Sequence, residues 1–271
     1  MGYLEDKFGL EGKTVLITGG GGVIAGAMTE ALLNAGANVS LCDLKMEFAE
    51  DGVKRAEVKS RITGKLLAVE ADTTDETAVR DAVLKTEKRF GSVDVLINAA
   101  GGNRGKSAFT EVDVEQFEFI LKLNLIAGLV VPTKVLASHW IEKGIKGSII
   151  NLASMASYIP LSGVWAYGAA KSAVMNLTMA TSKEFAPHGI RVNAVAPGFF
   201  IGKQNKALLI DEATGDLTPR GKDVIGRTPF GRFGDVEELG GITIFLSSNE
   251  ASSFITGVTI PVDGGFLVDN I

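Results

Sequence analysis

The sequence predicts an α/β fold: a doubly wound parallel sheet of about seven strands with helices on both faces. Three observations predict it. Short apolar runs alternate with longer segments of helical spacing along the 271 residues. Most of the runs are apolar on both faces, as strands held between two helical layers are. And a glycine-rich turn joins the first run to the first helical segment, the connection at which such sheets take ligands.

The strands are expected at Lys13–Thr18, Asn38–Asp43, Leu66–Ala71, Val93–Asn98, Gly147–Ala153, Ile190–Val195 and Gly257–Val262. Between them lie segments such as "GAMTEALLNAG" and "DETAVRDAVLKTEKRFG". The second opens on an N-cap aspartate, Asp75, and closes at Gly91. Strand–helix alternation over the whole length argues a parallel sheet. No linker and no internal repeat interrupts it, so residues 1–271 are expected to form one domain. The polar stretch 202–234 is long for a connection and is expected to be a substrate lid.

Composition narrows the function. No run of about 18 apolar residues exists, so no membrane span is expected. The first eleven residues, acidic and without a long apolar stretch, do not resemble a signal peptide. A single cysteine, Cys42, fits a reducing compartment such as the cytoplasm and allows no internal disulfide. Net charge is −5 with no basic block, which argues against nucleic acid as a partner. Two histidines, His139 and His188, are too few to build an ordinary zinc site with the one cysteine, so no metal is expected. Both read as structural, His188 in a Pro/Gly turn. No G-x-S-x-G elbow is present, which turns attention from serine–histidine chemistry.

"TGGGGVIAG" (Thr18–Gly26) follows the first strand and opens a helix. Backbone amides at a helix N-terminus favour anions, and glycines let a pyrophosphate approach the main chain. Asp43 ends the second strand, where a carboxylate can accept both ribose hydroxyls of an adenosine and repel a 2′-phosphate. Asp72 ends the third strand, where it could meet an adenine amino group or be a loop acid. "NAAGG" (Asn98–Gly102) ends the fourth. Tyr167 and Lys171 in "YGAAK" lie four apart and project from one helix face. A phenol has a pKa near 10, and a nearby ammonium lowers it. Such a tyrosine can exchange a proton with a carbonyl or alcohol oxygen. Ser154, thirteen residues before Tyr167, could hydrogen-bond that oxygen. Asn124 is polar inside an apolar helical run and needs its amide satisfied, structurally or in a proton relay.

Together "TGGGGVIAG", Asp43, Asp72, "NAAG", Asn124, Ser154, "YGAAK", Pro197-Gly198 and the closing "ITG…VDGG" resemble the short-chain dehydrogenase/reductase family over about residues 10–266. The resemblance implies a Rossmann-type sheet and a nicotinamide cofactor. It implies a catalytic set of Asn124, Ser154, Tyr167 and Lys171: tyrosine as acid/base, lysine on the nicotinamide ribose and lowering the phenol pKa, serine on the carbonyl, asparagine holding a relay water. It implies cofactor contacts from Gly19, Gly22, Val23, Ile24, Asp43, Leu44, Asp72, Thr73, Asn98, Ala99, Ala100, Gly101, Tyr167, Lys171, Pro197, Gly198 and Phe200, with NAD(H) preferred over NADP(H) because of Asp43. Val23 and Ala25 stand where the usual T-G-x-x-x-G-x-G pattern has glycine, and Gly202 where it usually has threonine.

Residues 202–234 are most similar to those of sugar-acid members of the family, the D-mannonate oxidoreductase (fructuronate reductase) group. A sugar acid is therefore the expected substrate, with Arg104, Lys203, Gln204 and Asn205 joining Ser154 and Tyr167 in binding it. Gluconate 5-dehydrogenase-like and 3-oxoacyl-[acyl-carrier-protein] reductase activities are the alternatives within the family, and a non-catalytic dinucleotide-binding regulator lies outside it. The family is commonly tetrameric, so a homotetramer is expected.

Overall fold

The computed structural model describes residues 2–60, 65–161, 163–201, 206–211 and 214–269. All seven expected strands form: β1 Thr14–Thr18, β2 Asn38–Asp43, β3 Leu66–Glu70, β4 Val95–Asn98, β5 Ser148–Leu152, β6 Arg191–Pro197 and β7 Thr259–Val262. They pair in parallel in the order β3-β2-β1-β4-β5-β6-β7. Strand order reverses direction between β1 and β4, which opens a crevice at their carboxyl ends. The four central strands β1, β4, β5 and β6 are buried at every residue, while β3 and β7 at the edges are not. Pro261, which has no N–H to offer a ladder, lies on edge strand β7.

The helices are α1 Tyr3–Phe8, α2 Val23–Asn34, α3 Met46–Ser60, α4 Glu76–Phe90, α5 Val114–Leu121, α6 Val131–Lys143, α7 Trp165–Phe185, α8 Lys206–Leu209, α9 Pro219–Gly226 and α10 Gly240–Ser247. Alternate residues of each central strand feed opposite cores. Val15, Ile17, Val95 and Ile97 pack with α2, α3 and α10, whereas Leu16 and Leu96 pack with α4 and α6. Asp75 caps α4 by accepting from the Thr77 and Ala78 amides, as its sequence position suggested.

One stretch expected to be ordinary helix is not. Residues 122–130, between α5 and α6, are π-helical. Two features of the sequence account for it. Pro132 has no N–H for the ladder, and the Asn124 side chain donates to the Ile120 carbonyl one turn back, inserting itself among the backbone bonds. The continuous segment Val114–Lys143 is long and apolar enough to cross a membrane, but more than half of its most apolar window is buried in this fold. It is a core helix.

Beyond the end of β6, Phe200 and Gly234 pair in an isolated parallel bridge. The excursion between them carries α8 and α9, with a second bridge from Ile210 to Leu217. At its neck Arg232 forks onto Glu238 with bonds of 2.8 and 2.6 Å.

Candidate active site

The crevice holds a cleft of about 500 Å³ lined by the glycine turn, the loop after β4, the end of β5, α7 and the Pro197-Gly198 turn. Its nearest wall answers why the turn needs glycine. A Cβ on Gly19 would lie 2.7 Å from Ala100 Cα, and one on Gly20 2.7 Å from Leu41 Cβ. One on Gly21 would meet the Phe48 carbonyl at 3.0 Å. The turn is therefore crowded by the protein itself, with α3 directly behind it. Gly52 of α3 faces the Gly20 carbonyl, and Arg55 Nη2 donates to the Gly21 carbonyl at 2.5 Å. Gly26, by contrast, has open space around it. α2 begins at Val23, so Gly26 lies inside the helix, while a Cβ on Gly22 would lie 3.1 Å from the Gly19 carbonyl.

Gly22 is the N-cap of α2 and contributes no side chain to close the helix end. The Gly22 amide donates to the Gly19 carbonyl at 2.9 Å, while Val23 and Ile24, the first two residues of the twelve-residue helix, bring its N-terminal amides to the cleft wall. That is the seat a diphosphate needs, so the turn fits a dinucleotide. Asp43 is held at the same turn: Oδ2 accepts from the Gly21 amide at 2.9 Å and Oδ1 from Leu44 at 2.8 Å. Leu44 is exposed beside it.

At the other end of the cleft stand Ser154, Tyr167 and Lys171. Ser154 directly follows the β5 end, and its Oγ accepts from the Ala156 amide, capping a short turn of helix. The Tyr167 side chain is close enough to Ser154 for the serine to pull the phenol's pKa down. Lys171, one turn further along α7, is buried; its Nζ donates to the Leu152 carbonyl at 2.7 Å and lies 5.7 Å from the Tyr167 ring centre. Burial pushes the Lys171 ammonium down to about 8. It also pushes the Tyr167 phenol up, against the opposing pull of Ser154. Lys171 Nζ is directed at the Leu152 carbonyl, and desolvation sets the direction of the phenol's shift.

Asn124 touches the cleft indirectly. Both amide hydrogens are committed, to the Gly102 carbonyl at 2.7 Å and the Ile120 carbonyl at 2.9 Å, and Oδ1 accepts from the Gly102 amide at 3.0 Å. The side chain bolts the loop after β4 to the long helix. Gly128 completes the joint, since a Cβ there would lie 2.5 Å from the Ala100 carbonyl.

Of the other expected site residues, Ala99, Gly101, Pro197, Gly198 and Phe200 line the cleft. Asn98 is inside the sheet, donating to Thr133 Oγ1 and Asn151 Oδ1. Asp72 accepts from the Thr74 amide and hydroxyl, and Thr73 is buried next to it. Arg104 lies over the Phe119 ring at 4.7 Å and lines a neighbouring pocket of about 230 Å³ with Lys106 and Trp165. Lys203, Gln204 and Asn205 fall outside the described residues. The cleft also has walls beyond the expected contacts: Gly21, Ala25 and Gly102, inside the quoted motifs, and Leu152, Ala153, Ile201 and Val236, outside them. The adjacency of Gly102 to "NAAG" and of Leu152 to Ser154 was a usable signal; Val236 had none.

A parallel sheet with its crevice at the carboxyl ends, an uncapped glycine turn and a Ser–Tyr–Lys group define a dinucleotide-linked oxidoreductase. A family model described as enoyl-(acyl carrier protein) reductase matches residues 21–267, and the chain belongs to the short-chain dehydrogenase/reductase family. It is 38% identical over 272 residues to the uncharacterised oxidoreductase UxuB of Bacillus subtilis, covering 95% of this chain and 96% of that one. It is 35% identical to gluconate 5-dehydrogenase of Gluconobacter oxydans, covering 97% and 98%. Among solved structures it is similar to a protein of Haemophilus influenzae provisionally named a D-mannonate oxidoreductase, with bound NAD. That match has a TM-score of 0.88, 35% identity and 99% coverage of both chains.

Proposed function

We propose that this protein interconverts the ketone and alcohol of a six-carbon sugar acid, D-fructuronate and D-mannonate in the first instance, with NAD(H) in preference to NADP(H). The observation that carries the reading is that Ser154, Tyr167 and a buried Lys171 share the wall of one cleft with the N-terminus of α2. The relatives named for gluconate and D-mannonate support the substrate class.

A bound nicotinamide would supply or accept the hydride. The Val23 and Ile24 amides would hold its diphosphate, with Gly22 letting it approach the main chain, Asp43 its adenosine ribose, and Lys171 its other ribose. In reduction, the Tyr167 hydroxyl gives its proton to the carbonyl oxygen, and Ser154 Oγ holds that oxygen in place. In oxidation the same phenol must first lose its proton, which its burial makes harder. Residues 202–234 are the substrate lid in this reading, with Lys203, Gln204 and Asn205 the groups for polyol hydroxyls and Arg104, on the loop after β4, the cation for the carboxylate. The protein acts in the cytoplasm as a homotetramer.

A panel of hexuronates, aldonates and uncharged ketoses, each with NADH/NAD and NADPH/NADP, tests the reading. The highest kcat/KM is expected on a sugar acid with NAD(H). Phe200, Ile201 and Val236 in the cleft wall favour a second reading, an acyl substrate. Strong turnover of a 3-oxoacyl thioester with none on any sugar acid would establish that one instead.

A further inference from the structure

Beyond Asp43, a second carboxylate stands where the adenosine end of a dinucleotide would lie. Asp43 and Glu70 are register partners at the ends of β2 and β3. Neighbouring strands are about 4.8 Å apart, so the two residues are adjacent. Glu70 reaches past the sheet edge, and its Oε2 accepts from the Met46 amide, the first residue of α3, at 3.0 Å. A fifteen-residue helix N-terminus is the natural seat for an anion, and here it already has one.

The cations nearby are engaged as well. Lys45 Nζ is 3.6 Å from Glu47 and 5.6 Å from the centre of the Phe48 ring. Arg55 is spent on the Gly21 carbonyl behind the turn. A 2′-phosphate arriving beside Asp43 would therefore face Glu70 as a like charge, a helix end already occupied, and a Lys45 shared with Glu47.

We propose that Glu70 is a second determinant of dinucleotide choice, excluding a 2′-phosphate by charge and by holding the N-terminus of α3. The proposal rests on the NAD(H) reading above. Its size follows from Coulomb's law: a carboxylate on the order of 6 Å from a doubly charged phosphate in water weakens binding about tenfold, and about threefold once physiological salt screens it.

Fluorescence titration of the full chain with NADH and with NADPH tests it, using Glu70→Gln, Glu70→Ala, Asp43→Ser and the double variant Asp43→Ser/Glu70→Gln. Removing the Glu70 charge should tighten NADPH about threefold, in the native background and again on top of Asp43→Ser, with the gain shrinking at high salt. NADH affinity should move by less than twofold. A wild type that prefers NADH, with Glu70 variants that leave the NADPH/NADH ratio unchanged, overturns this proposal alone. Loss of both affinities together with a lowered Tm assigns Glu70 a purely structural role and overturns it too. A wild type that binds NADPH at least as tightly as NADH overturns the cofactor preference and this proposal together.

Discussion

Lys171 makes a sharp claim about stability. Its ammonium is buried with one carbonyl partner, which takes its pKa from 10.5 to about 8. The folded protein therefore releases this proton before the unfolded chain does. Where the native state binds fewer protons than the unfolded one, stability rises with pH. The contribution is unfavourable below about pH 8 and is relieved between about 8 and 10.5. Between pH 7.5 and 9.5 the relief amounts to about 2 kcal/mol. Cys42 acts in the other direction. Its buried thiol is pushed up from 9.0 to about 12, so the fold loses about 0.8 kcal/mol over the same interval as the unfolded chain's thiol ionises. The measurement must therefore be a difference. Urea unfolding of wild type and Lys171→Met at pH 7.5 and 9.5 shares the Cys42 contribution and cancels it. The wild type should gain on the variant by about 2 kcal/mol as pH rises. A gap that stays constant or narrows refutes the depressed lysine.

Three further outcomes follow from the same geometry. Tyr167→Phe should lower kcat by about 10²–10⁴ and leave the calorimetric NADH affinity within about twofold; retained turnover would remove the phenol from the mechanism. With wild type, kcat/KM for alcohol oxidation should still be climbing at pH 9, because the phenol sits above its usual 10. A plateau reached near neutrality would contradict that. Gly52→Ala should destabilise by about 1–3 kcal/mol and weaken NADH binding, although alanine normally gains about 1 kcal/mol over glycine in a helix, because its Cβ would press on the Gly20 carbonyl at 2.5 Å. A raised Tm in that variant would disprove the close packing of α3 behind the turn.

What the sequence made legible is what local pattern encodes. The seven strands were readable from apolar runs, since burial between two helical layers removes polar residues from both faces. Ser154, Tyr167 and Lys171 were readable because i,i+4 spacing on a helix next to a strand end forces them together. The partners of these groups were not. Lys171 directs its charge at the Leu152 carbonyl, a main-chain atom with no signature in the sequence. Asn124 was correctly marked as a polar group needing satisfaction, but its partner Gly102 is set by tertiary approach. The same residue, with Pro132, turns an expected regular helix into a π-helical stretch. The glycine turn was read for what lies in front of it, whereas Phe48, Gly52 and Arg55 press on it from behind. Nothing nearby in sequence points to Val236, which reaches the cleft through the fold alone.

The Asn124 bolt has a consequence for solvent exchange. Gly102 belongs to a loop with no secondary structure, and loop amides ordinarily exchange with water on the timescale of local fraying. The Gly102 amide is bonded to the side chain of a fully buried residue in the middle of a core helix. It can be released only when that helix separates from the end of β4. Its deuterium uptake should track that of the β4 amides, orders of magnitude slower than that of the neighbouring exposed Asn103 and Gly105. In Asn124→Ala it should fall back to loop rates while β4 stays protected.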